Sequence, residues 1–309
     1  MKKFLEYYRK ADIEMPKEFE KREFAFVPFE ALPEFFMHRH ISFLSKEDFR
    51  NYAIKNVPAH VYYSSAYYEN PGKENMEEKG WIGADLIFDI DADHLPLKTS
   101  SVERALEAAK REVEKLLKVL KLDFGVKDVE VYFSGSRGYH VHVLDEEFIT
   151  LESPERREII DYLTLNNPKI IQKRKLLDST IAIRVSKYLE KKKLERKEIL
   201  KVLKKPEEVL EKFRIYIDAP VTADVKRLIR MPGTLHGKTG LKVVKVEDLE
   251  SFDPLSDAIA FGEEKIKLRI LKRVKITIGG EKLDLNAGEK AEVPLFAGIY
   301  LLCRGIATL

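Results

Sequence analysis

Asp89 and Asp91 stand two apart in Leu86-Ile87-Phe88-Asp89-Ile90-Asp91, a run that is apolar except for its acids. Such a run reads as a strand, and residues two apart on a strand point to one face. Phe88 and Ile90 then point into the core, and Asp93 continues the acidic face. Two carboxylates side by side repel, which raises one pKa unless a cation lies between them. Hard oxygen ligands suit Mg²⁺ or Mn²⁺. Two such ions about 4 Å apart could clamp the entering and leaving oxygens of a phosphoryl transfer. The pair alone reads sooner as a solvated strand edge; its apolar flanks raise the case for a metal. Asp218, which ends the strand-like Phe213-Arg214-Ile215-Tyr216-Ile217, is the candidate third carboxylate.

Ser134-Gly135-Ser136-Arg137-Gly138-Tyr139-His140-Val141-His142 carries the next chemistry. Two glycines permit a tight turn with exposed backbone N–H groups. Ser134 and Ser136 add hydroxyls, and Arg137 adds a planar fork suited to phosphate. His140 and His142 share one face of the following strand, with Val141 and Val143 on the other. By itself this is an ordinary hairpin turn. Beside the acidic strand it looks like a triphosphate cradle.

A third stretch, Arg227 to Gly240, follows Asp218 and supplies Arg230, His236 and Lys238. Gly233 to Thr239 falls one residue short of the phosphate-binding loop G-x-x-x-x-G-K-[ST], with no clear strand before it or helix after it. A Walker-type nucleotide site is therefore rejected. Standing alone, the run would be a basic surface loop.

The elements that must position these groups follow from periodicity. Residues 4–10 read as a helix, and Arg22 to Val27 as a strand. Glu103 to Leu120 is an amphipathic helix, with Ala105, Ala109, Val113, Leu116, Leu117 and Leu120 at helical spacing. Val129–Phe133 and Tyr139–Leu144 are strands joined by the glycine turn. The fold class expected is a mixed α/β core flanked by helices. Its parts are a core of residues 1–144 and 213–264, a Lys/Glu/Leu-rich helical insertion over 145–212, and a small β module over 265–309. In that tail Leu295, Phe296, Ile299, Tyr300 and Leu301 could form an apolar docking surface or, as we favour, the module's core.

Composition narrows the class less than the motifs do. The 55 basic residues nearly cancel the 52 acidic ones, so any nucleic-acid binding must come from local arrangement. One cysteine, Cys303, excludes an intramolecular disulfide and a multi-cysteine zinc site. A single glutamine amid abundant Lys and Glu is the thermophile pattern. With no apolar run of membrane length and no signal core at the N-terminus, a cytoplasmic protein without membrane contact is expected.

These motifs, in this order, make the chain resemble the small, catalytic subunit of archaeal and eukaryotic DNA primases over about residues 1–245. The matching residues are Phe88 to Asp91, Ser134 to His142, Asp218 with Arg230 to Gly240, Arg22-Glu23-Phe24, and His38 to Phe43. The resemblance implies a catalytic and metal-binding triad at Asp89, Asp91 and Asp218. It implies nucleotide contacts at Ser134, Ser136, Arg137, His140, His236 and Lys238, with Arg230 in the same basic run. Glu23 and Arg39 match residues that hold nucleotides during initiation. It further implies two-metal primer synthesis with Mg²⁺ or Mn²⁺ from nucleoside triphosphates on a single-stranded DNA template, and a large-subunit partner. The family's zinc knuckle, soon after the acidic strand, is replaced by Leu97 to Val102 without cysteine, so no zinc is expected in this chain. Two other readings compete: a two-metal phosphodiesterase or nuclease, which needs no triphosphate cradle, and a non-catalytic replication scaffold, which needs no metal.

Overall fold

The computed structural model describes residues 1–309 except 33, 35, 98, 100, 166–183, 185, 186 and 189–209. A first antiparallel sheet is built from β1 (Phe24–Val27), β2 (His38–Ile41) and β3 (His60–Ser64), in the order β2-β1-β3. Every residue of β1 and β3 is buried, as strands covered on both faces must be. α1 (Lys2–Lys10) and α2 (Lys46–Asn56) pack against this sheet through an aromatic cluster that includes Phe4, Phe24, Phe26, Phe43 and Phe49. The short pair β4 (Ala66–Tyr68) and β5 (Trp81–Ala84) leads into the second sheet.

That second sheet contains β6 (Leu86–Asp91), β7 (Val129–Phe133) and β8 (Gly138–Val143). Between β6 and β7 runs α3 (Val102–Asp123), capped by the Ser101 hydroxyl on the Arg104 amide. Its buried stripe is Leu106, Ala109, Val113, Leu116, Val119 and Leu120, the Leu and Val side chains each worth roughly 1.5–3 kcal/mol of gross burial. Ala105 and Leu117, expected in that stripe, are only partly buried. β6 feeds two cores at once. Leu86, Phe88 and Ile90 join the cluster under α3, while Ile87 joins the aromatic cluster of the first sheet. Strand alternation therefore turns Asp89 and Asp91, which share Ile87's face, toward the first sheet.

α4 (Ser153–Thr164) follows β8, and most of the helical insertion expected over 145–212 lies outside the described residues. The segment 213–217, expected as a strand, forms none. It leaves a turn at 211–213 without regular structure, held by the Ile215 amide on Leu163 O and the Tyr216 amide on Glu112 Oε1. α5 (Ala219–Ala223) then leads to β9 (Leu228–Arg230), which completes the first sheet beside β3. The start of the basic run is thus a strand, where the sequence suggested only a loop. β10 (Val244–Lys245) pairs with β7, and α6 (Pro254–Asp257) ends this region.

From Lys265 the chain forms β11 (Lys265–Ile270), the hairpin β12 (Val274–Ile278) and β13 (Glu281–Leu285), β14 (Lys290–Pro294), α7 (Leu295–Cys303) and β15 (Ala307–Thr308). Gly279 and Gly280, both at positive φ, make the hairpin turn that only such residues allow cheaply. Leu268, Ile270 and Ile276 share one cluster with Phe88 and Val141. Leu295, Phe296, Ile299, Tyr300 and Leu301 are all buried, so they are core and not a docking surface. No helix among the described residues is long and apolar enough to cross a membrane.

Candidate active site

The register of β6 against β8 sets Asp89 opposite His140 and Asp91 opposite Gly138. Glycine is needed there because a Cβ at 138 would lie 2.6 Å from the Ile90 carbonyl oxygen and 3.1 Å from Asp91 Cα. His140 Nε2 stands 3.9 Å from Asp89 Oδ1. Asp218 arrives from the irregular segment before α5: its amide donates to Asp89 O at 2.8 Å. Burial raises the Asp89 carboxyl to about pH 7, with Asp91 and Asp218 adding to the rise while Arg230 and His94 oppose it. Negative charge has been concentrated here beyond what the protein's own cations offset.

Asp91 is turned so that one oxygen accepts the Asp93 amide at 2.9 Å. Among the described residues no three His, Cys, Asp or Glu side chains are gathered closely enough to hold an ion as they stand. The donor chemistry nevertheless fits a hard divalent cation. The donors are carboxylates alone, on neighbouring backbone, and their mutual repulsion is what such an ion relieves.

Across the gap, the first sheet presents its own groups. Tyr62 on β3 pairs in register with Arg230 on β9, whose guanidinium lies 5.5 Å from the Tyr62 ring centroid. A cleft of about 410 Å³ is lined by Arg39, Tyr62, Asp89, His140, Arg227 and Arg230. Two larger hollows, about 670 Å³ each, flank α3 and touch none of the acids.

The glycine turn and the basic run meet at the start of β8, beside the end of β6. Gly135, at φ 84, packs so closely on His236 that a Cβ would lie 2.8 Å from that residue's own. Thr239 Oγ1 donates to Gly135 O at 2.5 Å. The His236 ring stands edge-on to His60, 4.6 Å between centroids. Burial drives His140 and His236 well below the ordinary imidazole range, so both are neutral near pH 7. Ser134 is buried, Ser136 and Arg137 are half-buried, and Lys238 is exposed. Arg137 is engaged with the Asp93 carboxylate, and its carbonyl accepts the Ala92 amide at 3.1 Å. The turn is thereby tied to the end of the acidic strand.

Glu23 does not line the cleft. It is wholly buried behind Arg39, accepting from Arg39 Nε at 3.0 Å and from the His40 amide at 3.2 Å. The structure thus gathers Asp89, His140, Arg39 and Arg230 in one cleft, with Asp218 bonded to Asp89 through the backbone. Ser134, Ser136, Arg137, His236 and Lys238 form an adjoining group. Sequence reasoning missed Tyr62 and Arg227 on the cleft wall, and Lys79 behind Glu23. Tyr62 lies in a wholly buried strand, and its pairing with Arg230 is a long-range register.

The family model for the DNA primase small subunit matches residues 88–248. The chain belongs to the DNA primase small subunit family. The DNA primase small subunit PriS of Archaeoglobus fulgidus is 56% identical, covering 99% of this chain and 97% of that one. The PriS proteins of Methanococcoides burtonii and Methanosarcina acetivorans are 36% and 35% identical, each covering 99% of this chain and 96% and 94% of theirs. The polymerase domain of Mycobacterium tuberculosis ligase D, solved in complex with DNA, is 13% identical with a TM-score of 0.44, covering 82% of this chain and 83% of that one; a likeness so distant carries no argument.

Proposed function

We propose that this chain is the catalytic subunit of a primase, joining nucleoside triphosphates into short primers on a single-stranded DNA template. The observation that carries the reading is Asp89 in an arginine-lined cleft, within reach of the charges of Asp91 and Asp218, with a glycine turn and basic run adjoining. Membership of a small-subunit family supports a large subunit as partner.

Asp89, Asp91 and Asp218 would hold two Mg²⁺ or Mn²⁺ ions, which when bound supply Lewis acidity toward the attacking 3′-oxygen and the leaving pyrophosphate. In the reaction the 3′-oxygen bonds to the α-phosphorus as the bond to pyrophosphate breaks. Arg230, Arg137 and Lys238 would offset phosphate charge, most strongly where it grows in the transition state. For Arg137 this requires exchange of its Asp93 partner for phosphate. His140 and His236, being neutral, would donate N–H groups rather than charge. Ser134, Ser136 and the turn's amides would complete the cradle. A strand started without a primer requires two nucleotides held together. Arg39, which lines the same cleft as Asp89, would take the second triphosphate, with Glu23 aiming it.

The test is incubation of the chain with single-stranded DNA, labelled triphosphates and Mn²⁺ or Mg²⁺, with and without a primer, beside Asp89→Ala. Metal-dependent products from the wild type alone are expected. Folded wild-type protein that binds the cation yet makes no product, even with a primer, would overturn the reading.

A further inference from the structure

Lys79 closes the charge run Glu77-Glu78-Lys79, a stretch that reads as solvated surface, yet its side chain has no exposed area. Its ammonium lies 3.2 Å from Glu23 Oε2, donates to the Pro71 carbonyl, and sits 5.1 Å from the centre of the Tyr68 ring. A buried ammonium is tolerated only when paired and hydrogen-bonded. Here the pairing is with a carboxylate that is itself wholly buried and spends its other oxygen on Arg39 and the His40 amide.

The arrangement is a relay across three segments. The loop before β5 supplies Lys79; its hairpin-like ends are closed by the Asn70 amide on Lys79 O and the Glu69 amide on Gly80 O. The residue before β1 supplies Glu23, and β2 supplies Arg39 and His40. His40 holds φ 62, a conformation costly for a residue with a Cβ, and the hydrogen bond its amide donates to Glu23 Oε1 helps keep it there. Burial pushes the Glu23 carboxyl up, and Arg39, Lys79 and the His40 amide together more than reverse this. Being buried, Lys79 cannot touch a nucleotide. Whatever it does to the reaction passes through Glu23.

We propose that Lys79 is a positioning residue for strand initiation: it fixes the Glu23 carboxylate, which aims Arg39 into the cleft to receive the initiating nucleotide's triphosphate. The proposal rests on the primase reading above. Extension of an existing primer, which needs no second triphosphate, depends little on the relay.

The experiment compares Lys79→Met, Glu23→Gln and the double variant in unprimed dinucleotide synthesis and in extension of a supplied primer. For Lys79→Met the KM of the initiating nucleotide rises about tenfold or more, as expected for a misaimed side chain, while extension stays within about twofold of wild type. The double variant, which buries no lone charge, initiates as well as Glu23→Gln alone. Equal loss of initiation and extension in Lys79→Met overturns the proposal. So does a double variant that initiates worse than Glu23→Gln, and this comparison decides the matter if Lys79→Met does not fold. A wild type active in both assays alongside either result refutes the Lys79 role and leaves the primase reading standing. A wild type inactive in both overturns the primase reading and this proposal together.

Discussion

The amide of Asp218 donates to the carbonyl oxygen of Asp89 at 2.8 Å, so the third carboxylate is fixed to the first by backbone rather than by side chain. Both carboxylates stay available to a cation, and the bond survives substitution of either side chain. Changes at these positions therefore test chemistry more than folding.

Asp89→Asn is expected to reduce synthesis by ~10²-fold or more and to stabilise the metal-free protein above neutral pH. The folded carboxyl titrates at about 7, against 3.8 ordinarily. A carboxyl raised on folding costs nothing below the unfolded value, and its cost grows as pH rises to the folded one. Between those limits the wild type loses up to ~4 kcal/mol that the amide does not. Thermal unfolding at pH 5 and pH 8 in chelator measures the difference. Unchanged relative stability of the two proteins would refute a carboxyl raised by burial and by its acidic neighbours.

Mg²⁺ or Mn²⁺ should raise the wild-type melting temperature at pH 8, because binding to the folded state adds stability by mass action. The gain should shrink below pH 7, where Asp89 holds a proton, and be much smaller in Asp89→Asn. Calorimetry with and without chelator reads this directly.

The acid limb of the activity profile should follow Asp89 and not a histidine. Burial holds His140 and His236 neutral well below pH 6.5. His236→Gln is therefore expected to lower activity while leaving the limb in place. More cation should shift the limb to lower pH, since metal and proton compete for one carboxylate. A limb abolished by the histidine change would contradict the assignment.

Gly138→Ala should cost about 1–3 kcal/mol, because the added methyl has nowhere to go but into the Ile90 carbonyl and the Asp91 backbone. β6 and β8 must part to admit it, which displaces Asp89 from His140. Primer extension should fall more than the loss of stability alone explains.

Asp85→Ala should destabilise the fold by about 3–5 kcal/mol. Asp85 pairs with the buried Arg22 at 2.8 Å and accepts from Tyr67 at 2.6 Å. Without it the guanidinium, which also donates to Lys17, Ser64 and Ser65 carbonyls, keeps a buried charge with no counterion. Denaturant unfolding checks the value.

Much of the site was legible in sequence because its pieces are local. Alternation in Leu86 to Asp91 fixes which side chains share a face, whatever that strand packs against. The glycines of 134–138 specify the turn, and helical spacing specifies α3. Tertiary structure decided what those faces meet. Nothing near Asp218 announces that an irregular segment, not a strand, will bond it to Asp89. Nothing in β3 announces that Tyr62 will lie across from Arg230. Lys79 is the clearest case: its neighbours in sequence are acids on the surface, and its partner in space is Glu23 in the interior. Periodicity is a property of neighbouring residues and can be read along the chain. A buried ion pair depends on which distant segments exclude water together, and only the packed structure determines that.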